Sequence, residues 1–286
     1  AGPPVSVRIL HILDHSLPMH SGYTFRTRAI LKAQQDLGWD VRGVTGLRHT
    51  ADGPDVEESD GLIFHRTRGP VLSVPIWREW SEIVAFSERI DALCEQFRPD
   101  VLHAHSPVLN ALAGLQVAKK RKLPLVYEIR AFWEDAAVGN GTGVEGSPRY
   151  RLTKALETWA VRRADEIVVI CEGLKSDLIS RGIDPGRITV SPNGVDLDLF
   201  GSPPARDKTL TAEFALGDME TIGFIGSFYD YEGLDDLIAA MPQLVAARPK
   251  LALLLVGGGP MEPVLRAQAA SSPVADRIHF VGRVPH

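Results

Sequence analysis

The sequence predicts an α/β protein built from two doubly wound parallel sheets, the second of them incomplete. Short apolar runs alternate with helix-period stretches along most of the chain, which is the pattern of strand, crossover helix and parallel strand. Several runs, such as IVVI, are continuously apolar rather than alternating, as expected of strands covered on both faces. The ten residues SPNGVDLDLF, Ser191 to Phe200, then interrupt the alternation, and a second series starts at Thr221. At 286 residues the chain exceeds a typical domain of roughly 100 to 200 residues. We therefore expect an N-terminal domain over residues 1–195 and a shorter C-terminal one over residues 196–286.

Taken in order, VRILHIL (Val7 to Leu13) reads as the first strand, followed by a loop and a helix from Tyr23 to Leu37 that Gly38 stops. WDVRGVTG, LIFHRTR, DVLHAHS, PLVYEIR, EIVVICE and RITVSPN read as further strands. Helices are expected around Ser81 to Phe97, Leu109 to Lys122, Arg149 to Ala164 and Gly173 to Arg181. The stretch RAFWEDAAVGNGTGVEGSPRY reads as one long loop, a length that in compact domains is usually functional. Beyond the joint, ETIGFIGS is a strand with a turn at Gly226-Ser227, and a helix starts at Gly233. KLALLLV leads into Gly257, Gly258 and Gly259 and a helix near Met261, and RIHFVGRVPH supplies a third strand.

Composition excludes several classes. The net charge of −5 offers no basic footprint for nucleic acid. No run of 18 apolar residues and no charged n-region with an apolar h-region occurs, so neither a membrane span nor a signal peptide is read. Cys94 and Cys171 lack a CxxC partner and read as reduced, buried thiols of a cytoplasmic protein. The start at Ala1 rather than Met reads as trimming.

Ligands of such sheets bind beyond the C-terminal ends of the strands, so the candidates lie there. Ser21 and Gly22 open the first helix, where backbone N–H groups and the missing Cβ suit an anion; a plain helix cap by Ser21 is the alternative. In HAHSP the alternation of side chains along a strand is read as placing His103 and His105 on opposite faces. His105, nearer the strand end, is then the candidate donor to a hydroxyl or developing charge, and His103 is packed. Histidines diverging in this way would not share a metal ion, and no metal is expected. In the long loop Arg130 and Trp133 stand out, while Glu134 and Asp135 offer a general base or simply solvated charges. Asp100, Asp165 and Glu166 read as plain loop charges.

The order of these motifs resembles the retaining glycosyltransferases of GT-B type, family four (group 1), over the whole chain. The resemblance is carried by SGY, HAHSP, ADEIVVICEGLKSDLISRGIDPGRITVSPNGVDLDLF, IGFIGSFYDYEGLDDLI, LLLVGGGP and HFVGRVP, with PNGVD the most specific. YEIRAFWED and GSFYDYEGL further resemble bacterial members associated with exopolysaccharide and exosortase clusters. The resemblance implies two Rossmann-like domains and transfer of a sugar from a nucleotide-diphosphate donor, with retention at the anomeric carbon and no metal or other cofactor. A UDP-sugar is the first guess for the donor, which such enzymes hold between their domains. It also implies a glycan, lipid-linked or small-molecule acceptor, and a place in the cytoplasm or at the inner face of the membrane.

By position, Ser21 and Gly22 would approach the donor phosphates and His105 the transferred sugar. Gly226, Ser227, Gly257, Gly258, Gly259, Gly282, Arg283 and Val284 would face the nucleotide, and Tyr23, Arg130, Trp133 and Glu134 the acceptor side. Two departures stand out. Ser227 and Glu232 occupy positions where many members carry Arg and Lys around the diphosphate, leaving Arg283, Arg130 or a helix N-terminus to replace that clamp. The family's Glu-x7-Glu pair is not found, so the chain reads as a C-terminally truncated fragment that is inactive alone. A non-catalytic nucleotide- or sugar-binding module that ends here is the alternative, and a sugar-nucleotide epimerase of the same fold a third reading. For the acceptor side, Trp77 and Trp80 within Val71 to Phe86 offer either a stacking or membrane-facing surface or packing onto the sheet, which we favour. Arg149, Arg151, Lys154, Arg162 and Arg163 form either a contact with anionic lipid or a solvated helix face, the latter favoured.

Overall fold

The computed structural model describes residues 7–70, 74, 77–139, 141–195, 197, 201, 202 and 204–284. These form two compact units, the first taking the chain up to Val138 and Gly143–Gly194, the second Gly139–Thr142 and the chain from Val195 onward. Of the joint Ser191–Phe200, Asp196 and residues 198–200 lie outside the described residues, as do Val71–Ser73, Pro75 and Ile76 of the Val71–Phe86 stretch and Pro285 and His286 of the last motif.

In the first unit, strands β1 (Arg8–Leu13), β2 (Asp40–Thr45), β3 (Val56–Ser59), β4 (Leu62–Arg66), β5 (Val101–His105), β6 (Leu125–Ile129), β7 (Glu166–Val169) and β8 (Ile188–Val190) form one sheet. Their order is β3-β4-β2-β1-β5-β6-β7-β8, parallel throughout except for the antiparallel pair β3–β4. The helices are α1 (Gly22–Asp36), α2 (Trp77–Phe97), α3 (Val108–Arg121), α4 (Trp133–Gly139), α5 (Pro148–Arg163) and α6 (Glu172–Ser180). Alternation along β1 distributes its side chains to two cores. Leu10 and Ile12 join Phe86, Ile90 and Leu93 of α2 and Val108 and Ala111 of α3, whereas Ile9 and Leu13 join Leu31 of α1, Val41 and Phe64. The sheet is thus covered on both faces, and its strand ends remain the open edge.

The second unit contains α7 (Lys208–Glu213), β9 (Glu220–Ser227), α8 (Leu234–Ala247), β10 (Leu251–Gly258), α9 (Glu262–Ala270) and β11 (Ile278–Gly282). Its parallel sheet has the order β11-β10-β9. Phe228, Leu234, Ile238, Met241, Leu253, Leu255 and Leu265 form its core.

Several expectations are corrected. Strand β3 was not expected, because VEES is polar; it is a sheet-edge strand joined to β4 by Asp60-Gly61, both at positive φ (56° and 68°), as a two-residue hairpin turn requires. The long loop contains the seven-residue helix α4. Gly226 and Ser227 end strand β9, paired with Gly257 and Gly258, and do not form a turn. Coverage on both faces fails at β9, a sheet edge among the described residues, where Ile225 is 81% exposed. Cys94 is buried but Cys171 is exposed, because it caps α6 from outside the helix. Trp77 and Trp80, 61% and 58% exposed, meet each other edge to face at 6.2 Å and do not pack onto the sheet. Glu166 belongs to β7, while Asp100 Oδ2 accepts from Arg8 N–H and Asp165 Oδ2 from Leu125 N–H, both at 2.8 Å. These two carboxylates fasten strand starts. Among the described residues no helix is long and apolar enough to cross a membrane.

Candidate functional site

In the first unit the strand ends gather an unusual density of buried polar groups. The parallel register sets His11 of β1 beside His103 of β5 and His105 beside Glu128 of β6. Residues two apart on a strand share a face, so the expected divergence of His103 and His105 does not hold. Their rings stack with centroids 4.3 Å apart, and His11 lies 4.8 Å from His103.

Arg130 fixes the proton positions in this cluster. A guanidinium only donates, so its Nη2, 2.7 Å from His105 Nδ1, makes that nitrogen the acceptor. His105 Nε2 then carries the proton toward His11 Nδ1 at 2.9 Å, and His11 Nε2 donates to Gln34 Oε1 of α1 at 2.8 Å. Both rings are neutral in this chain. Burial lowers His105 to about 3, and burial followed by repulsion from His103 and His105 holds His11 well below the ordinary imidazole value.

Glu128 anchors the opposite charge. Its Oε1 accepts from Arg26 Nε at 2.9 Å and Arg130 Nε at 3.0 Å, and its Oε2 lies 3.3 Å from His103 Nε2. Burial opposes ionisation of Glu128, yet its carboxyl is held far below its usual range, as the two guanidiniums on Oε1 require. Two guanidiniums thus face one carboxylate, leaving one net positive charge under the strand ends. Arg26 continues outward to Ser191 O (2.8 Å), Pro192 O (3.1 Å) and Asn193 Oδ1 (3.1 Å). Arg130 also donates to Tyr23 O and Thr27 Oγ1, with its Cζ 4.1 Å from the Tyr23 ring centroid.

The three histidines present nitrogens within 4.8 Å of one another, contrary to the expected separation. Such a set has the composition of a metal centre. Here His105 spends both ring nitrogens, and His11 both of its own, on the chain from Arg130 to Gln34. The adjacent guanidiniums add a second obstacle to a cation.

At the start of α1, Ser21 Oγ accepts from Thr24 N–H at 3.1 Å, so the cap is formed. The same hydroxyl lies 2.7 Å from His15 Nε2, and His15 Nδ1 is 3.0 Å from Asp14 Oδ2. A Cβ on Gly22 would meet nothing within 4 Å, leaving room above the first helical N–H groups. The Tyr23 hydroxyl oxygen accepts from Asp14 N–H at 3.1 Å, and burial raises the Tyr23 pKa above the usual phenol value.

On the acceptor-side candidates the structure divides the expectation. Trp133 is half-buried, with Arg48 5.7 Å from its ring. Glu134 is neither a solvated loop charge nor an accessible base: it is buried, 2.9 Å from Arg181 Nη2, and burial raises its pKa. Beside it Glu157, lifted to about 7 by burial, holds Tyr127 O–H at 2.5 Å.

In the second unit the strand order brings Gly226, Ser227, Gly257, Gly258 and Gly282 to neighbouring C-terminal ends. A Cβ on Gly257 would fall 1.8 Å from Gly226 O, and one on Gly259 2.6 Å from Phe228 O. These two glycines therefore have a packing reason of their own. Over Gly258 lie Glu262 and Arg283, whose Oε2 and Nε would be 2.9 and 3.3 Å from an added Cβ, so an acid and a cation together cover this turn. Val284 is exposed.

Arg26, Glu128 and His11 escaped the sequence reading. An acid inside the apolar run LVYEI was the available signal, since a buried charge demands partners. Nothing local identified Arg26, which lies 102 positions away.

The sequence matches the family model described as a glycosyl transferase 4-like domain over residues 21–194, and that of glycosyl transferases group 1 over residues 219–286. It is 30% identical over 192 residues to glycogen synthase of Mycobacterium tuberculosis, covering 66% of this chain and 43% of that protein. It is 29% identical over 271 residues to D-inositol 3-phosphate glycosyltransferase of Mycobacteroides abscessus, covering 91% and 58%. The chain therefore spans about half the length of these curated relatives. Among solved structures, sucrose-phosphate synthase from Thermosynechococcus elongatus superimposes with a TM-score of 0.73 at 22% identity, over 98% of this chain and 71% of that one. Anabaena HepE in complex with UDP-glucose gives 0.70 at 17%, over 98% and 70%. At these identities the likeness shows the fold, an α/β architecture of two Rossmann-like parallel sheets of GT-B type.

Proposed function

The chain belongs to the glycosyl transferase 4-like domain family, and on that premise we propose that it takes part in sugar transfer from a nucleotide-diphosphate donor with retention at the anomeric carbon. The bond between the anomeric carbon and the diphosphate oxygen breaks, and its electron pair leaves with the diphosphate. The acceptor hydroxyl oxygen bonds to the same carbon on the face the leaving group vacates, and its proton passes to the departing phosphate oxygen. The charge that develops is negative on the leaving group and positive on the sugar, so fixed positive groups near the diphosphate lower the barrier.

The observation that carries this reading is the cluster at the ends of β1, β5 and β6, where two guanidiniums face one carboxylate and His11 and His105 are held neutral. It supplies a preorganised field. Above it, the start of α1 at Gly22 offers backbone N–H groups to a phosphate. In the second unit Arg283 over Gly258 is assigned the nucleotide side, with Gly226, Ser227, Gly257, Gly259, Gly282 and Val284 as neighbours.

His105 is fully buried with both nitrogens engaged, so we assign it as a positioning residue that holds Arg130, in place of a direct contact with the sugar. Trp133 is assigned to the acceptor side. Tyr23 and Arg130 support the floor of the site, and the similarity to proteins solved with UDP and UDP-glucose makes a UDP-sugar the first donor to try.

Titration calorimetry of the full-length protein against UDP, GDP and their sugars tests the donor assignment. One nucleotide diphosphate should bind at least 10-fold more tightly than its monophosphate. Equal affinity for both would remove the diphosphate from the account.

A further inference from the structure

Helix α5 buries Glu157, Ala160 and Val161, yet its opposite face is neither polar nor covered. Leu152, Leu156 and Trp159 are 57%, 36% and 43% exposed. Their i, i+4, i+7 spacing sets them on one face of a helix of 3.6 residues per turn, as a stripe about 10 Å long. Scattered exposed apolar residues need no explanation, but an ordered stripe does.

The charges around the stripe have one sign. Arg149 lies one turn before Leu152 and Arg163 one turn after Trp159, while Arg151 and Arg162 flank the stripe about 80 to 100° to one side; all four are exposed. Arg163 Cζ sits 3.9 Å from the Trp159 ring centroid, holding the indole and the cation together at the surface. The helix has a single acidic residue, Glu157, and that one is buried on the inner face. This asymmetry occurs in a chain whose net charge is −5. It is a local device.

We propose that the outer face of α5 docks on an anionic lipid bilayer, with Leu152, Leu156 and Trp159 in the headgroup–acyl boundary and the arginines on lipid phosphates. A basic helix with Leu and Trp on its exposed face has the composition of interfacial helices. The other candidates fit less well. A two-fold contact with a second copy would set arginine against arginine. Nucleic acid matches the charge but gives the stripe nothing apolar to enter. The proposal is independent of the sugar-transfer reading, because α5 lies apart from the Glu128 cluster in sequence and contributes none of its hydrogen bonds.

Co-sedimentation of the full chain with phosphatidylcholine vesicles, with and without about 30 mol% phosphatidylglycerol, tests it. Binding is expected only to the anionic vesicles and should fall at least about 10-fold between roughly 0.1 and 0.5 M NaCl. Each arginine near an anionic surface contributes about 1 kcal/mol, so the Arg149→Ala/Arg163→Ala pair should weaken binding about 30-fold. Leu152→Ser/Trp159→Ser should weaken it about 10-fold or more while leaving the charge intact. Equal binding to neutral and anionic vesicles, or salt-independent binding, would overturn the proposal on the unmodified protein alone. So would a dimer in sedimentation velocity that Trp159→Ser abolishes, which would assign the stripe to a second copy.

Discussion

Replacing Glu128 by Gln removes one negative charge from between two buried guanidiniums. Arg26 and Arg130 are 11% and 10% exposed and the carboxylate 2%, so solvent does little to relieve the imbalance. Breaking a buried ion pair by deleting one partner costs about 3 to 5 kcal/mol, because the remaining charge stays desolvated. In a unit of this size each kcal/mol moves the melting midpoint by about 2 to 4 °C. The variant should therefore melt about 6 to 20 °C below the parent by circular dichroism. Removing a surplus cation with Arg26→Met in the Glu128→Gln background should recover part of that loss, since the two residues are directly coupled. A melt within about 2 °C of the parent, with no coupling to Arg26, would refute the claim that this cluster is an electrostatic unit.

Further outcomes follow from the same geometry. His105→Ala in the full-length enzyme should lower kcat at least 10-fold with donor KM nearly unchanged, and His105→Asn should recover part of it; parent-like rates would remove His105 from the site. His49 and His65, both lowered to about 4 by burial, and His105 at about 3 bind protons more readily when unfolded. Their stabilisation is complete above about pH 6.5 and is lost as pH falls toward 3 to 4, so the melting midpoint should drop steeply across that window. Glu157, raised to about 7, acts in the opposite sense. Its contribution is present below about pH 4.5 and lost as pH rises through 7, so Glu157→Gln should gain up to about 3 kcal/mol relative to the parent between pH 4.5 and 8. A pH-independent difference would contradict the buried-acid assignment. Finally, one thiol of the native protein should react with a disulfide reagent, Cys171, because Cys94 is buried with its pKa raised to about 11; fast reaction of both would contradict the packing of α2.

Much of the fold was legible because alternation of apolar runs and helical periods is a local signal. The strands from VRILHIL to EIVVI and the helices after them lie where periodicity sets them. Strand β3 was missed although Asp60-Gly61 marks its hairpin, since its own residues carry no apolar alternation. Helix α4 was hidden inside a stretch whose Gly-rich second half reads as loop. The site was less legible, for a physical reason. Glu128, Arg26, His11 and Gln34 meet only through parallel register and helix docking, which no window of sequence contains. The face shared by His103 and His105, by contrast, follows from strand parity and needed no structure. Gly257 and Gly259 show the converse limit, because close backbone approach and phosphate binding select the same residue.

The central claim is retaining transfer from a nucleotide-diphosphate sugar, and the stereochemistry of the product tests it most directly. Full-length protein supplied with an α-linked UDP-sugar and an acceptor should yield an α-glycoside by proton NMR of the anomeric signal, with stoichiometric release of UDP. A β-linked product, or consumption of the donor that yields an epimerised UDP-sugar and no glycoside, would contradict it.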